Sequence, residues 1–498
     1  MINEFSMGHS RWFAFGIFSI VIVSIFLRFW GLGRFNTLVF DEVYYAKFGN
    51  EFLTGTPYYN AHPPLSQYLI AFSIWVGQKL PISLTEVNGL TGSMLAPWMY
   101  RWLNAAVGSL MPLIVAATAY LLTRRRSYAL ISALLIAADG LFLVESRYAL
   151  NNIYLVTFGL LGQLFVLFSL SFCGTGIKRW LWLGLAGISF GACMAIKWNG
   201  LGFLLGIYVF WLMAKIWCRR QSSTLSTKPN LTPKKFPQFA QINFWQFAIT
   251  LGVIPVLIYS LLWIPHLQLN PNPNFWEMQQ QILTYHEGIE DDAHPYCAKW
   301  YTWPLMIRPI AYFYEQAGTS LEINPVLPDP PPGLDPVVYD VHAVGNPGLW
   351  WFSTLAIFLM AWLFAERAQL LQKVESLYVI SPQDQLLTKP HRSLLSRWQS
   401  GWCILYLLVN WGANFFPWIK VSRCTFLYHY MGSLVFATLA LAWWVDRWLH
   451  SSKRYHRGLA ITVIFTVLIA FCFWMPIYLG LPISPKGWQM RMWLPSWI

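Results

Sequence analysis

Long unbroken runs of apolar residues dominate this chain, with short polar breaks between them. The first run, Phe13 to Trp30, is almost wholly apolar. About 20 residues at ~1.5 Å rise cross the ~30 Å of a bilayer's hydrocarbon, so this run is long enough to span it. Spans are placed at 12–32, 97–122, 128–144, 148–170, 180–198, 199–217, 245–263, 347–366, 400–418, 425–445 and 458–478. The pattern predicts an all-α integral membrane protein of about 11 transmembrane helices in a single domain over 1–498.

Two outer segments break the pattern, 33–96 and 264–346. In the first, Tyr44, Phe48 and Phe52 repeat at helical spacing within Val43–Leu53, and Leu65, Leu69, Phe72 and Val76 within Leu65–Leu80. Both predict amphipathic helices on the membrane surface. Pro64 suits the first turn of the second. Flanked by Pro63-Pro64 and Pro81, that helix is not counted as a span. The second segment is rich in Pro, Asn and aromatics, which predicts turns and extended chain. It is too short for an inserted β-trefoil, so no such domain is expected. The stretches 221–243 and 373–399 read as polar and mobile, and Gly187 and Gly191 are spaced for close helix packing.

Composition agrees with a membrane class: 56% of residues are hydrophobic and 11% charged, against ~25% charged in soluble domains. The 29 Trp suit interfacial belts. A net charge of +13 raises the question of nucleic acid. With the N-terminus in the cytoplasm, however, 21 of the 34 Lys and Arg fall inside and 16 of the 21 acids outside. The basic clusters thus follow the positive-inside rule, and no nucleic-acid partner is expected. The first span reads as a signal-anchor. Localisation is expected in the cell membrane, multi-pass, with both long segments outside. The seven scattered Cys show no metal spacing and no even disulfide framework, and most read as small core residues.

Asp41-Glu42 lies just beyond the first span, where a lipid-carried substrate meets a water-soluble one. A carboxylate there suits a general base for a hydroxyl nucleophile. The same acids also suit the start of a helix, or a divalent cation with His62. Arg28, Arg101, Arg147, Lys197 and Arg423 all fall at outer ends of spans. Ionisable groups there are costly and usually face protein or a cavity. Together they suit an anion, and phosphate is the natural one. A transporter would place such groups near the midplane of repeated halves, which this chain does not display.

These residues carry a resemblance. Arg28, Val39-Phe40-Asp41-Glu42-Val43-Tyr44 and His62-Pro63-Pro64-Leu65 resemble the protein O-mannosyltransferases that use a polyprenyl-phosphate mannose donor. So do Arg101, Glu145-Ser146-Arg147, Lys197-Trp198-Asn199-Gly200, Tyr285-His286, His294-Pro295-Tyr296, Trp300 to Pro304, Arg308-Pro309, Gly345-Asn346-Pro347 and Phe426 to Tyr430. The match runs in order along nearly the whole chain. It implies the GT-C fold of glycosyltransferase family 39 and inverting transfer of mannose to Ser or Thr of secreted or membrane polypeptides, outside the cell. It implies no cofactor and no metal. Asp41 is then the base, and Glu42 positions the acceptor or pairs with Arg. Arg28, Arg101, Lys197 and Arg147 bind the donor phosphate. His62, Tyr285, His286, Trp303, Asn346, Arg423, Tyr428 and His429 bind substrate. A sister activity on a lipid or glycan acceptor stays open. Where many relatives carry an acid a few residues after Ser-Arg, this chain has Asn151-Asn152. The β-trefoil of eukaryotic members is missing, as in the bacterial branch.

Overall fold

The computed structural model describes residues 2–80, 88–90, 93–171, 176–224, 236–317, 327–328, 330–334, 336–380 and 401–498. Much of 221–243 and 373–399 lies outside them. Helices dominate. In order come α1 (Ile2–Phe29), α2 (Glu42–Thr54), α3 (Leu65–Lys79), α4 (Pro97–Thr123), α5 (Arg126–Ala137), α6 (Gly140–Glu145), α7 (Asn152–Ser169), α8 (Ile177–Met194) and α9 (Leu201–Thr224). Later helices are named by range.

Among the described residues, seven helices are long and apolar enough to cross a membrane: Arg11–Phe29, Pro97–Thr123, Asn152–Ser169, Trp198–Arg219, Phe244–Leu269, Pro347–Arg367 and Arg454–Leu479. The other four predicted spans are also helical but do not meet that measure. The run 128–144 breaks after Ala137 into α5 and α6, and 180–198 becomes α8. The run 400–418 shortens to Gly401–Phe415, and 425–445 begins with a 3-10 turn, Leu427–Tyr430, before Met431–Leu449. The polytopic helical class stands; the count of eleven is not confirmed.

Both outer-segment helices form where their periodicity puts them. α2 ends at Gly55, whose φ of +70° is the left-handed conformation that glycine adopts without a Cβ penalty. α3 packs against α2 and α4. Ser73 Oγ donates to the Met99 carbonyl at 2.8 Å, and Trp102 Nε1 donates to the Ser73 carbonyl at 2.9 Å.

The second outer segment is more regular than its composition predicts. It holds a helix, Phe275–Glu287, and, after a short strand pair β1 (Asn88–Leu90) and β2 (Ser93–Leu95) earlier in the chain, an antiparallel pair β3 (Ile310–Ala317) and β4 (Val337–Ala343). The helix's apolar positions Phe275, Met278 and Ile282 keep helical spacing, and Met278 and Ile282 are its buried residues, a rhythm that the surrounding Pro and Asn obscure. It also carries a capping box, with Asn274 accepting from Trp276 and Glu277 N–H while Glu277 returns to Asn274 N. β4 is buried along its whole length, an outcome of tertiary packing. Cys297 and Cys424 also correct the sequence reading, since they form a disulfide with Cα atoms 5.1 Å apart across 127 positions. Two unpatterned cysteines so far apart give no local sign of their pairing. Beside the bridge, Ala298 N donates to the Thr425 carbonyl at 2.7 Å and Thr425 Oγ1 to the Ala298 carbonyl at 2.6 Å.

Gly187 lets α8 approach the next helical layer. A Cβ there would lie 2.0 Å from the Thr250 carbonyl oxygen, whereas at Gly184 it would meet only Ile254 Cδ1 at 4.0 Å. Overpacking of this kind costs roughly 1–3 kcal/mol. Gly187→Ala should lower the melting temperature of the detergent-purified protein. Gly184→Ala, on the same helix, should leave it within error.

Candidate active site

Two arginines shape the loop between α1 and α2. Arg147 turns its guanidinium onto the C-terminal end of α1. Its Nη1 donates to the carbonyls of Leu27, Arg28 and Trp30 at 2.7, 3.2 and 2.8 Å, and its Nη2 to that of Gly31 at 3.1 Å. A helix leaves its last carbonyls unbonded and slightly negative, so a cation is favourable there. Arg101 gathers the following residues. Its Nη1 donates to the carbonyls of Leu32 and Phe35, both at 3.1 Å, and its Nη2 to that of Thr37 at 2.7 Å. It also makes a fork with Glu42, Nε to Oε1 at 2.9 Å and Nη2 to Oε2 at 2.7 Å, and both side chains are fully buried. Glu42 completes its coordination with the N–H groups of Val39 and Ala149, each at 2.8 Å.

These contacts correct the phosphate assignment for Arg101 and Arg147. Arg101 has five N–H groups, and the five contacts just described occupy them. Arg147 is committed to α1. Arg28 is fully buried with Nη1 bound to Ser24 Oγ at 2.7 Å, but its Nε and Nη2 have no hydrogen-bond partner, so its guanidinium is not used up by protein contacts. None of the three lines the cavity described below. Glu42 is the partner of Arg101, not a group facing an acceptor.

The tethered loop delivers Asp41. Phe40 takes φ +52° and stacks on Tyr312 with centroids 4.1 Å apart and planes 7° from parallel. A non-glycine residue in that region is strained by about 1–2 kcal/mol and persists where its surroundings hold it. Asp41 follows at the N-cap of α2, yet its side chain caps nothing. Both acids do stand at the helix start, as the helix-start reading expects, but Asp41 makes no capping bond there. Burial pushes its carboxyl up to about 6, and the nearby Lys197 ammonium opposes the shift.

Lys197 belongs to a cavity of about 380 Å³ with two kinds of wall. His62, Lys197, His286, Arg423 and His429 form the polar end. Leu201 and Leu205 of α9, with Ala413 of Gly401–Phe415 and Ile282 and Leu283 of Phe275–Glu287, form the apolar walls. Leu201 and Leu205 are also exposed on the outside of the helix. Burial, reinforced by nearby cations, holds His62 well below the usual imidazole value and His286 at about 4. Both rings are neutral at pH 7, leaving Lys197 and Arg423 as the positive charges of the cavity. The Lys197 ammonium also lies 5.0 Å from the Tyr428 ring centre.

The remaining predicted residues divide. Trp303 is buried and stacks on His429 from behind, centroids 5.8 Å apart. Tyr428 sits edge-on to Phe40 at 6.4 Å. Tyr285 is exposed beside Tyr59. Asn346 does not belong to the cavity. Its Nδ2 donates to the carbonyls of Ala138 and Val467, both at 2.8 Å, and its N–H to Asp139, so it joins the α5–α6 break to Pro347–Ile380. A substrate role for it is replaced by this structural one.

Two residues given no role in the sequence reading stand close to Asp41. Tyr312 of β3 backs Phe40, and its hydroxyl donates to Glu145 Oε1 at 2.5 Å. Glu145 is fully buried and also accepts from Asn152 Nδ2 at 3.1 Å. Burial pushes its carboxyl up; the bonds from Tyr312 and Asn152 and the charge of Lys197 oppose this. Nothing local marks Tyr312, whose role depends on a stack across the fold. Glu145 carries a visible signal, being an acid in the Ser-Arg segment.

A polytopic helical body with a cavity that is cationic at one end and apolar along its walls, near a carboxylate, is in keeping with a membrane-embedded glycosyltransferase. The fold is that of the GT-C class. It superposes on the Saccharomyces cerevisiae protein O-mannosyltransferase Pmt1-Pmt2 complex bound to the sugar donor, with TM-score 0.73 and 14% identity over 98% of this chain and 92% of that one. It also superposes on ArnT from Cupriavidus metallidurans bound to undecaprenyl phosphate, with TM-score 0.51 and 12% identity over 95% of this chain and 77% of that one. The family profile described as dolichyl-phosphate-mannose-protein mannosyltransferase matches residues 18–270, and the C-terminal four-transmembrane region of protein-O-mannosyltransferase matches 272–497. The chain belongs to the protein O-mannosyltransferase family. It is similar to polyprenol-phosphate-mannose–protein mannosyltransferases of Mycolicibacterium smegmatis (24% identity, 96% of this chain, 92% of the relative) and Mycobacterium tuberculosis (22%, 98% and 92%).

Removing one partner of a buried ion pair costs about 3–5 kcal/mol. Glu42→Gln should therefore sharply lower the melting temperature and the yield of folded protein. Donor affinity per folded molecule should stay near wild type in a titration corrected for the active fraction.

Proposed function

We propose that this enzyme transfers mannose from a polyprenyl-phosphate donor to Ser or Thr hydroxyls of polypeptides, with Asp41 as base and Lys197 and Arg423 as the phosphate site. The observation that carries the reading is the two-walled cavity. Its cationic end fits a phosphate and its apolar walls fit an isoprenoid tail, and Asp41 stands by with no hydrogen bond to give up.

The chemistry follows from the groups present. The acceptor oxygen attacks the sugar's C1 as the C1–O bond to phosphate breaks. The bonding electrons leave with the lipid phosphate, already an anion, so cationic side chains can stabilise it without a general acid. Asp41 takes the hydroxyl proton. One base and direct displacement invert the anomeric centre, whereas retention normally needs a nucleophilic carboxylate. No metal enters this scheme, and chelation should leave activity intact.

We further place the site on the extracytoplasmic face of the cell membrane. The basic residues concentrate on the opposite side, and the Cys297–Cys424 bridge beside Arg423 suits an oxidising compartment. A cysteine introduced at Thr56 should accordingly label from outside in intact cells; labelling only after permeabilisation would reverse the orientation.

Purified protein incubated with polyprenyl-phosphate mannose and Ser/Thr peptides should yield mannosylated peptide by mass spectrometry; product found on lipid alone would assign the sister activity. Asp41→Asn should lower single-turnover transfer by ~10²–10⁴-fold while donor binding survives. Lys197→Ala and Arg423→Ala should each weaken donor binding by roughly 10- to 100-fold, the worth of one charge-assisted contact. The pH profile has a stated sign. The base must be ionised and its carboxyl lies at about 6, so kcat/KM should fall as pH drops through about 6. An acid limb near 4, the ordinary aspartate value, would remove Asp41 from this role.

A further inference from the structure

Glu145 is a buried carboxylate inside the site for which the transfer scheme has no use. We propose that it is a positioning residue whose negative charge holds Lys197 in place for the donor phosphate. The inference rests on the reading that Lys197 carries that phosphate.

The connection is a short chain of hydrogen bonds. Lys197 Nζ donates to Asn152 Oδ1 at 3.0 Å, and Asn152 Nδ2 donates to Glu145 Oε1 at 3.1 Å. The amide fixes direction but brings no charge; the charge stands one residue behind it. Glu145 Oε2 is buried with no hydrogen-bond partner. An ionised carboxylate with an oxygen left bare is costly, unless positive charge nearby compensates it. Tyr45, Tyr312 and Tyr428 face this space as neutral phenols, and Asp41 is the second acid. Lys197 is the cation that acts on both acids.

Two carboxylates near one ammonium have different fates in the reaction. Asp41 becomes neutral as it accepts the hydroxyl proton, at the moment the phosphate departs. Glu145 lies off that proton path and keeps its charge through the step, so Lys197 is never left without a counter-ion. Glu145 also anchors the base from behind, because Tyr312, which donates to it, is the ring under Phe40.

The test moves the charge back. Glu145→Gln retains an oxygen for Asn152 and Tyr312 but removes the charge. The double variant Glu145→Gln/Asn152→Asp restores a carboxylate in direct reach of Lys197. Donor kcat/KM is measured with polyprenyl-phosphate mannose and a Ser/Thr peptide at pH 8, where wild-type Glu145 is ionised. Glu145→Gln should lose about tenfold or more, the scale of one charge-assisted interaction, and the double variant should return to within about threefold of wild type. A single variant within threefold of wild type would overturn the proposal, since a purely structural acid is served as well by the amide. So would a double variant as poor as the single one. Lys197→Ala in the same assay separates the two levels. If its donor KM is normal, the phosphate reading falls and this inference with it. If it is impaired while Glu145→Gln is normal, only the role of Glu145 falls.

Discussion

A buried guanidinium is costly wherever an N–H goes unanswered, and Arg101 is answered on all five, unlike Arg28 and Arg147. Desolvating such a charge is expensive, and the pair with Glu42 recovers the cost only because the geometry is complete. Completion fixes the backbone from Leu32 to Glu42. With that stretch pinned at both ends, Phe40 is held in a left-handed conformation and Asp41 is delivered within electrostatic reach of Lys197. The proposed base is therefore placed by a contact that has no part in the proposed chemistry.

The outer-level cations form two populations that look alike in sequence. Arg28, Arg101 and Arg147 are enclosed by protein, while Lys197 and Arg423 line open space. Position relative to a span predicts that a charge sits near the interface. It does not predict whether carbonyl oxygens or a void will face it, because that depends on which helices pack beside it. Arg147 illustrates the point: its partners are the four carbonyls around the end of α1, over a hundred positions earlier.

Much of the fold was legible because it obeys local rules. The apolar runs and the three-and-four spacing of α2 and α3 each act within one or two turns; the Asn274–Glu277 capping box is equally local but goes unread in a segment whose composition predicts turns. The cavity histidines and Lys197 were legible as motif residues, and the structure brings His62, Lys197, His286, Arg423 and His429 to one wall. Other features rest on encounters no window can contain. The Cys297–Cys424 bridge, the Phe40–Tyr312 stack and the joint at Asn346 all link distant segments. The break after Ala137 carries a local sign, Asp139-Gly140, with Asp139 accepting from Phe142 N–H at the start of α6; hydropathy averaged over 128–144 passes over it.

The apolar wall formed by Leu201, Leu205 and Ala413 has a thermodynamic consequence. In water such a wall would attract any greasy molecule, since removing apolar surface from solvent is favourable. Bordered by a bilayer, it is wetted by acyl chains whenever nothing else fills it. A ligand's tail then displaces hydrocarbon with hydrocarbon, an exchange of almost no net hydrophobic worth. On the proposed reading, selectivity resides at the other end, in two cations and their neutral imidazole neighbours, which a neutral or zwitterionic lipid does not satisfy as a compact anion does.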